Sequence, residues 1–85
     1  MARMRYEIVL SPEAADDFRR LKANVRSAVR DAMETHLRHE PTVASKSRIK
    51  RLRGMSRPRY RLRVDEVRVF YDVTEQTVEV LAIRF

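Results

Sequence analysis

The 85 residues include no cysteine, no tryptophan and a single glycine. Without cysteine, disulfide staples and thiolate metal ligation are excluded, while the redox compartment stays open. No P-loop, dinucleotide fingerprint or Ser/His/Asp arrangement is present. No apolar run approaches the roughly 18–20 residues that span a bilayer. Charges punctuate the first ten residues, against a secretory leader. The expectation is one domain, residues 1–85, cytoplasmic and without a membrane partner. Its core should lie near the lower limit of independent stability.

What is present is positive charge, unevenly spread. Residues 1–45 carry eight basic and seven acidic side chains, whereas residues 46–85 carry eleven and five. The densest stretch, "KSRIKRLRGMSRPRYRLR" at 46–63, has nine lysines and arginines in eighteen positions and no acid. Such an imbalance favours a polyanionic partner, nucleic acid first. An anionic membrane surface or an acidic protein comes second, and Lys46, Arg48, Lys50, Arg51, Arg53, Arg57 and Arg59 are the candidate residues for meeting such a partner, the RNA- or ribosome-binding set if the partner is RNA.

Patterning supplies the frame. "RYEIVL" (5–10) alternates as a strand. Ser11 is placed to cap a helix whose first residue is Pro12, with Ala14, Phe18 and Leu21 as its apolar stripe. Val25, Ala28, Val29, Ala32, Met33 and Leu37 recur at helical spacing, so a second helix is expected from about Asn24 until Pro41, paired with the first as an antiparallel hairpin. A short strand is expected around Arg48–Leu52, then a turn at Gly54. "YRLRV" (60–64), "VRVFYDV" (67–73) and "TVEVLAIRF" (77–85) read as three further strands.

A two-residue turn at Asp65–Glu66 would pair Tyr60 with Tyr71, Leu62 with Val69 and Val64 with Val67 as the core side. The same register sets Arg63 opposite Arg68 and Arg61 opposite Phe70. Facing like charges destabilise a sheet, and local rules are broken where function lies. A second turn at Glu75–Gln76 would pair Val73, Tyr71 and Val69 with Val78, Val80 and Ala82. Leu81 and Ile83 then join Phe70 beside the arginines, and Arg84 falls on the core side. Three guanidinium groups there suit phosphate oxygens, and Phe70 could stack on a base. Tyr60 and Tyr71 read as core. Asp16, Asp17, Asp31 and Glu34 read as solvated helix faces. His36 and His39 are too few for a metal site.

The order strand–helix–helix–strands, closed by "RLRGM…YRLRVDEVRVFYDV…VEVLAI", resembles the RelE/ParE family of bacterial toxin–antitoxin toxins. That resemblance implies an α+β fold in which two N-terminal helices pack on a four- to five-stranded, mainly antiparallel sheet. It implies a cognate antitoxin in a hetero-oligomer, and no cofactor or metal. RelE-type members cut mRNA in the ribosomal A site, using the message's own 2′-hydroxyl, whereas ParE-type members inhibit DNA gyrase through protein contact. On the RelE-type pattern the catalytic residues are Arg61, Arg63 and Arg68, and the partners are ribosome and mRNA. RelE-type members commonly carry lysine at the first two positions, and continue past the last strand with a basic residue and a tyrosine. This chain stops at Phe85, so the resemblance leaves open a nuclease, a phosphate clamp with little cleavage, a gyrase inhibitor or a relative that chiefly binds antitoxin.

Overall fold

Alternating apolar residues and two tight turns build most of the sheet. The computed structural model describes residues 5–54 and 56–85; Met1–Met4 and Met55, the last residue of the "RLRGM" stretch, lie outside it. The elements are β1 (Glu7–Leu10), α1 (Pro12–Arg20), α2 (Ala23–Leu37), β2 (Ile49–Arg51), β3 (Tyr60–Val64), β4 (Val67–Thr74) and β5 (Thr77–Arg84). The strands form one five-stranded sheet ordered β1-β5-β4-β3-β2, antiparallel except for the parallel β1–β5 pair. The helices connect one edge strand to the other.

Both helices start as the sequence predicts. The Ser11 hydroxyl oxygen accepts from the Ala14 N–H at 3.0 Å, and Pro12 opens the first turn, where its missing N–H costs nothing. Ser11→Ala should lower stability by about 1 kcal/mol, read from a denaturant midpoint. Each helix makes its principal contacts with the sheet, α1 with β5 and β1 and α2 with β3, so the expected helix hairpin is not the main packing unit. The apolar stripes face the strands instead. Val29, Met33 and Leu37 are buried there against Leu62, Val69 and Val80, while Ala28, expected in the stripe, is exposed.

Tyr71 ties the core to the segment after α2. Its ring stacks on Tyr60 at 5.6 Å, and its buried hydroxyl donates to the Pro41 carbonyl at 2.6 Å. Burial first, and the neighbouring Tyr60 second, raise its ionisation above the ordinary phenol range.

The β3–β4 register is the expected one, with Tyr60, Leu62 and Val64 opposite Tyr71, Val69 and Val67. Asp65 takes a positive φ of 54° at the first position of the turn, a region that aspartate tolerates better than most side chains. The β4–β5 register departs from expectation. Val73 and Tyr71 do meet Val78 and Val80, but a bulge follows, and Val69 faces Ile83 rather than Ala82. Leu81 is the extra residue. Ile83 is therefore core rather than part of the arginine face, and Arg84 lies opposite Arg68 rather than on the core side.

The bulge is held from outside the sheet. Beyond Leu10, β5 has no strand neighbour on that side, and α1 covers the gap. The Ser11 hydroxyl donates to the Leu81 carbonyl at 3.2 Å, and the Ile83 N–H donates to the Asp17 carboxylate at 3.0 Å. Side chains thus replace the ladder that a naked edge would lack. Asp17 also pairs with Arg84 at 3.2 Å and is only 10% exposed, which corrects its reading as a solvated helix residue.

Candidate functional site

Strand alternation sends Lys50 of β2, Arg61 and Arg63 of β3 and Arg68 of β4 to the face away from the helices. Two cross-strand rows result. Lys50, Arg61 and Phe70 face one another across β2, β3 and β4, and Arg63, Arg68 and Arg84 do so across β3, β4 and β5. In the second row the outer members are engaged. Arg63 Nε donates to the Asp65 carbonyl at 3.0 Å, and Arg84 pairs with Asp17. Arg68, exposed between them, has no ion-pair partner among the described residues. Relieving that row by Arg68→Thr should raise stability by about 0.2–1 kcal/mol, measured by urea unfolding at low salt.

A groove of about 1010 Å³ opens beside these rows, between the approach to β2 and the β3–β4 turn. Lys46, Arg48, Lys50, Arg61 and Arg63 line it, against Asp65 and Glu66 at the turn. Five cations against two carboxylates make a concave site of one dominant sign, the geometry that concentrates an anionic ligand. Arg61 is half-buried, and its Nε is shielded without a hydrogen-bond partner. Among the described residues no carboxylate neutralises it. Phe70, its cross-strand neighbour, is itself half-buried and lies outside the groove lining.

The wall of the groove at 45–49 is a side-chain-capped turn. Ser45 Oγ accepts from the N–H groups of Arg48 and Ile49, both at 3.1 Å, and the Ser45 N–H donates to the Ile49 carbonyl at 2.8 Å. Arg48 Nη1 lies 3.1 Å from Nε2 of His36 on α2. Burial, and then the Arg48 charge, hold the His36 pKa below the ordinary imidazole value. A cavity of about 350 Å³ adjoins the groove here, with Arg48 lining both.

The remaining basic candidates lie elsewhere. Arg51 pairs with Tyr60 and so has the opposite parity from Lys50. Arg53, beside Gly54 with its φ of 75°, is exposed in the loop. Arg57 and Arg59 are gathered by Asp72, a buried carboxylate on the arginine side of β4. Asp72 accepts from the Arg59 N–H at 2.6 Å and pairs with Arg57 Nε at 3.2 Å, while Arg57 also reaches Glu79 at 3.6 Å. This pins the basic loop to the sheet. Sequence reasoning missed Asp72; the available signal was an acid at a position sharing the parity of Arg68 and Phe70. It missed the His36–Arg48 contact as well.

Residues 8–84 match the family model of the ParE toxin of type II toxin–antitoxin systems (parDE). The chain belongs to this toxin family. No curated protein matches the sequence. Among solved structures the toxin superposes on a chain of the toxin–antitoxin complex RelBE2 from Mycobacterium tuberculosis, with a TM-score of 0.77 and 22% identity. That match covers 94% of this chain and 96% of the other. At that identity it bears on the fold, which is the RelE/ParE-like arrangement of two helices on a five-stranded sheet. The toxin's groove is therefore built on the helix-free side of a shared scaffold.

Proposed function

We propose that this toxin grips single-stranded RNA in the basic groove and cuts mRNA on the ribosome, so that translation stops. The supporting observation is the gathering of Arg61, Arg63 and Arg68 on one face, with Arg61 and Arg68 free of carboxylate partners among the described residues. In the proposed step the message's 2′-oxygen forms a bond to the adjacent phosphorus and the bond to the 5′-oxygen breaks. The products are a 2′,3′-cyclic phosphate and a 5′-hydroxyl. Guanidinium groups stabilise the charge that builds on the phosphoryl oxygens. Arginine stays protonated, so the 2′-proton passes to water or to a ribosomal group, and the departing 5′-oxygen takes up a proton from water or such a group. A cognate antitoxin, the kind of partner that the RelBE2 neighbour has, is proposed to bind the toxin in a hetero-oligomer.

Cell-free translation followed by primer extension tests this. The expected result is cleavage of the message in the A site. The ParE description of the matching family favours one second reading, inhibition of DNA gyrase by protein contact. It predicts blocked supercoiling with intact mRNA, and that pattern would replace the nuclease.

A further inference from the structure

We propose that His36 is a pH-linked partner of Arg48: in the free protein its neutral imidazole accepts from the Arg48 guanidinium at the mouth of the groove, and a polyanion that takes Arg48 over lets His36 take up a proton. The inference rests on the RNA-binding reading of the groove.

The geometry comes first. Arg48 Nη1 lies 3.1 Å from His36 Nε2, and a guanidinium has only donors to offer. The imidazole nitrogen must therefore be the acceptor, which fixes the neutral form with its proton on Nδ1. His36 belongs to α2 and Arg48 to the turn before β2, so the contact bridges the helical layer and the groove wall. Ser45 fixes the backbone of that wall through the Arg48 and Ile49 N–H groups. Arg48 is consequently held at both its backbone and its tip. It lines both the 1010 Å³ groove and the 350 Å³ cavity behind it.

The other titratable or charged groups lining the cavity are His39 and Glu40, which follow α2. The wall contributes Arg48 alone as a charged group there, beside Ser45, Ser47 and the buried Ile49. Protonation of His36 would place a second cation against Arg48 and convert the acceptor into a donor. The free protein resists that change, in line with the downward shift of His36.

A bound phosphate reverses the balance. Once Arg48 faces an anion, its repulsion of an imidazolium weakens, and the imidazolium is itself drawn to the phosphate. The His36 pKa rises on binding. By linkage the ligand then binds more tightly as pH falls through the pKa of the complex, and the gain levels off below that of the free protein. Tighter binding at lower pH is therefore the required sign.

The probe is an oligouridylate, because uracil does not ionise in the range used. Between pH 8 and pH 5.5 the wild-type affinity should rise by about three- to tenfold, since each unit of differential pKa is worth tenfold. His36→Gln keeps a hydrogen-bond acceptor but cannot titrate, and should give a flat profile. His39→Gln should retain the pH dependence. NMR titration of His36 gives the second readout: Arg48→Ala should move its pKa up towards the ordinary value, and saturating oligouridylate should move it up in the wild type. A His36→Gln profile as steep as wild type, or a His36 pKa indifferent to Arg48→Ala, overturns this inference and leaves the RNA reading standing. No oligouridylate binding at any pH overturns that reading, and this inference with it.

Discussion

Tyr71→Ala is expected to destabilise the toxin by about 3–5 kcal/mol, the range for removing a fully buried aromatic ring. Tyr71 is 0% exposed, stacks on Tyr60 and anchors the segment after α2 through Pro41. A domain of ordinary stability holds only about 5–15 kcal/mol in total, and small domains lie at the low end. The variant should therefore show a large loss of folded population in thermal or urea melts. Tyr71→Phe separates the ring from the hydroxyl. It keeps the stack but leaves the buried Pro41 carbonyl without that donor, so about 1–3 kcal/mol should be lost. The two variants also differ from wild type in alkali. The folded phenol ionises above its unfolded value of about 10. The stabilising contribution of the neutral phenol is fully present below pH 10 and is lost as pH rises beyond it, because the unfolded chain releases its proton first. Tyr71→Phe should lose that part of the alkaline sensitivity.

Arg61→Ala and Arg68→Ala should each weaken RNA cleavage by roughly 10- to 100-fold, since a hydrogen bond to a charged group is worth about 1.5–3 kcal/mol. Neither substitution removes a carboxylate's partner, so melting temperatures should stay near wild type, or rise slightly for Arg68. Arg63→Ala should cost less, because Arg63 Nε is already committed to the Asp65 carbonyl. Arg61→Lys should recover only part of the loss, because lysine restores the charge without the fork that meets two phosphate oxygens. Primer-extension yields against toxin concentration give the comparison. Unfolding of Arg61→Ala would place Arg61 in the core instead of the site.

The residues that could be read from sequence are those whose geometry is set locally. The Asp65–Glu66 turn fixes the β3–β4 register, and with it the facing of Arg63 and Arg68, because a two-residue link leaves little choice of pairing. Ser11 and Pro12 announce the first helix in the same local way. The face of Arg84 is not set locally, because the Leu81 bulge is held by Ser11, which caps α1, and by Asp17 on α1, about 66 to 70 residues away in sequence. A one-residue bulge reverses parity, so everything after it changes face. Asp72 escaped notice because its value depends on a loop folding back over it, and the His36–Arg48 contact because helix and turn meet only in the folded chain. Of the basic run, alternation and loop anchoring divide Lys46, Arg48 and Lys50, in the groove, from Arg51, Arg53, Arg57 and Arg59 outside it.

The central claim is that the groove grips RNA by its phosphates, and the salt dependence of binding tests it most directly. The affinity for a short single-stranded RNA should fall linearly on log–log axes, with a slope of about 0.7 per phosphate contact. Arg61→Ala should lower the wild-type slope by about one such contact. An affinity that does not change with salt, or a slope that Arg61→Ala leaves untouched, would contradict the account.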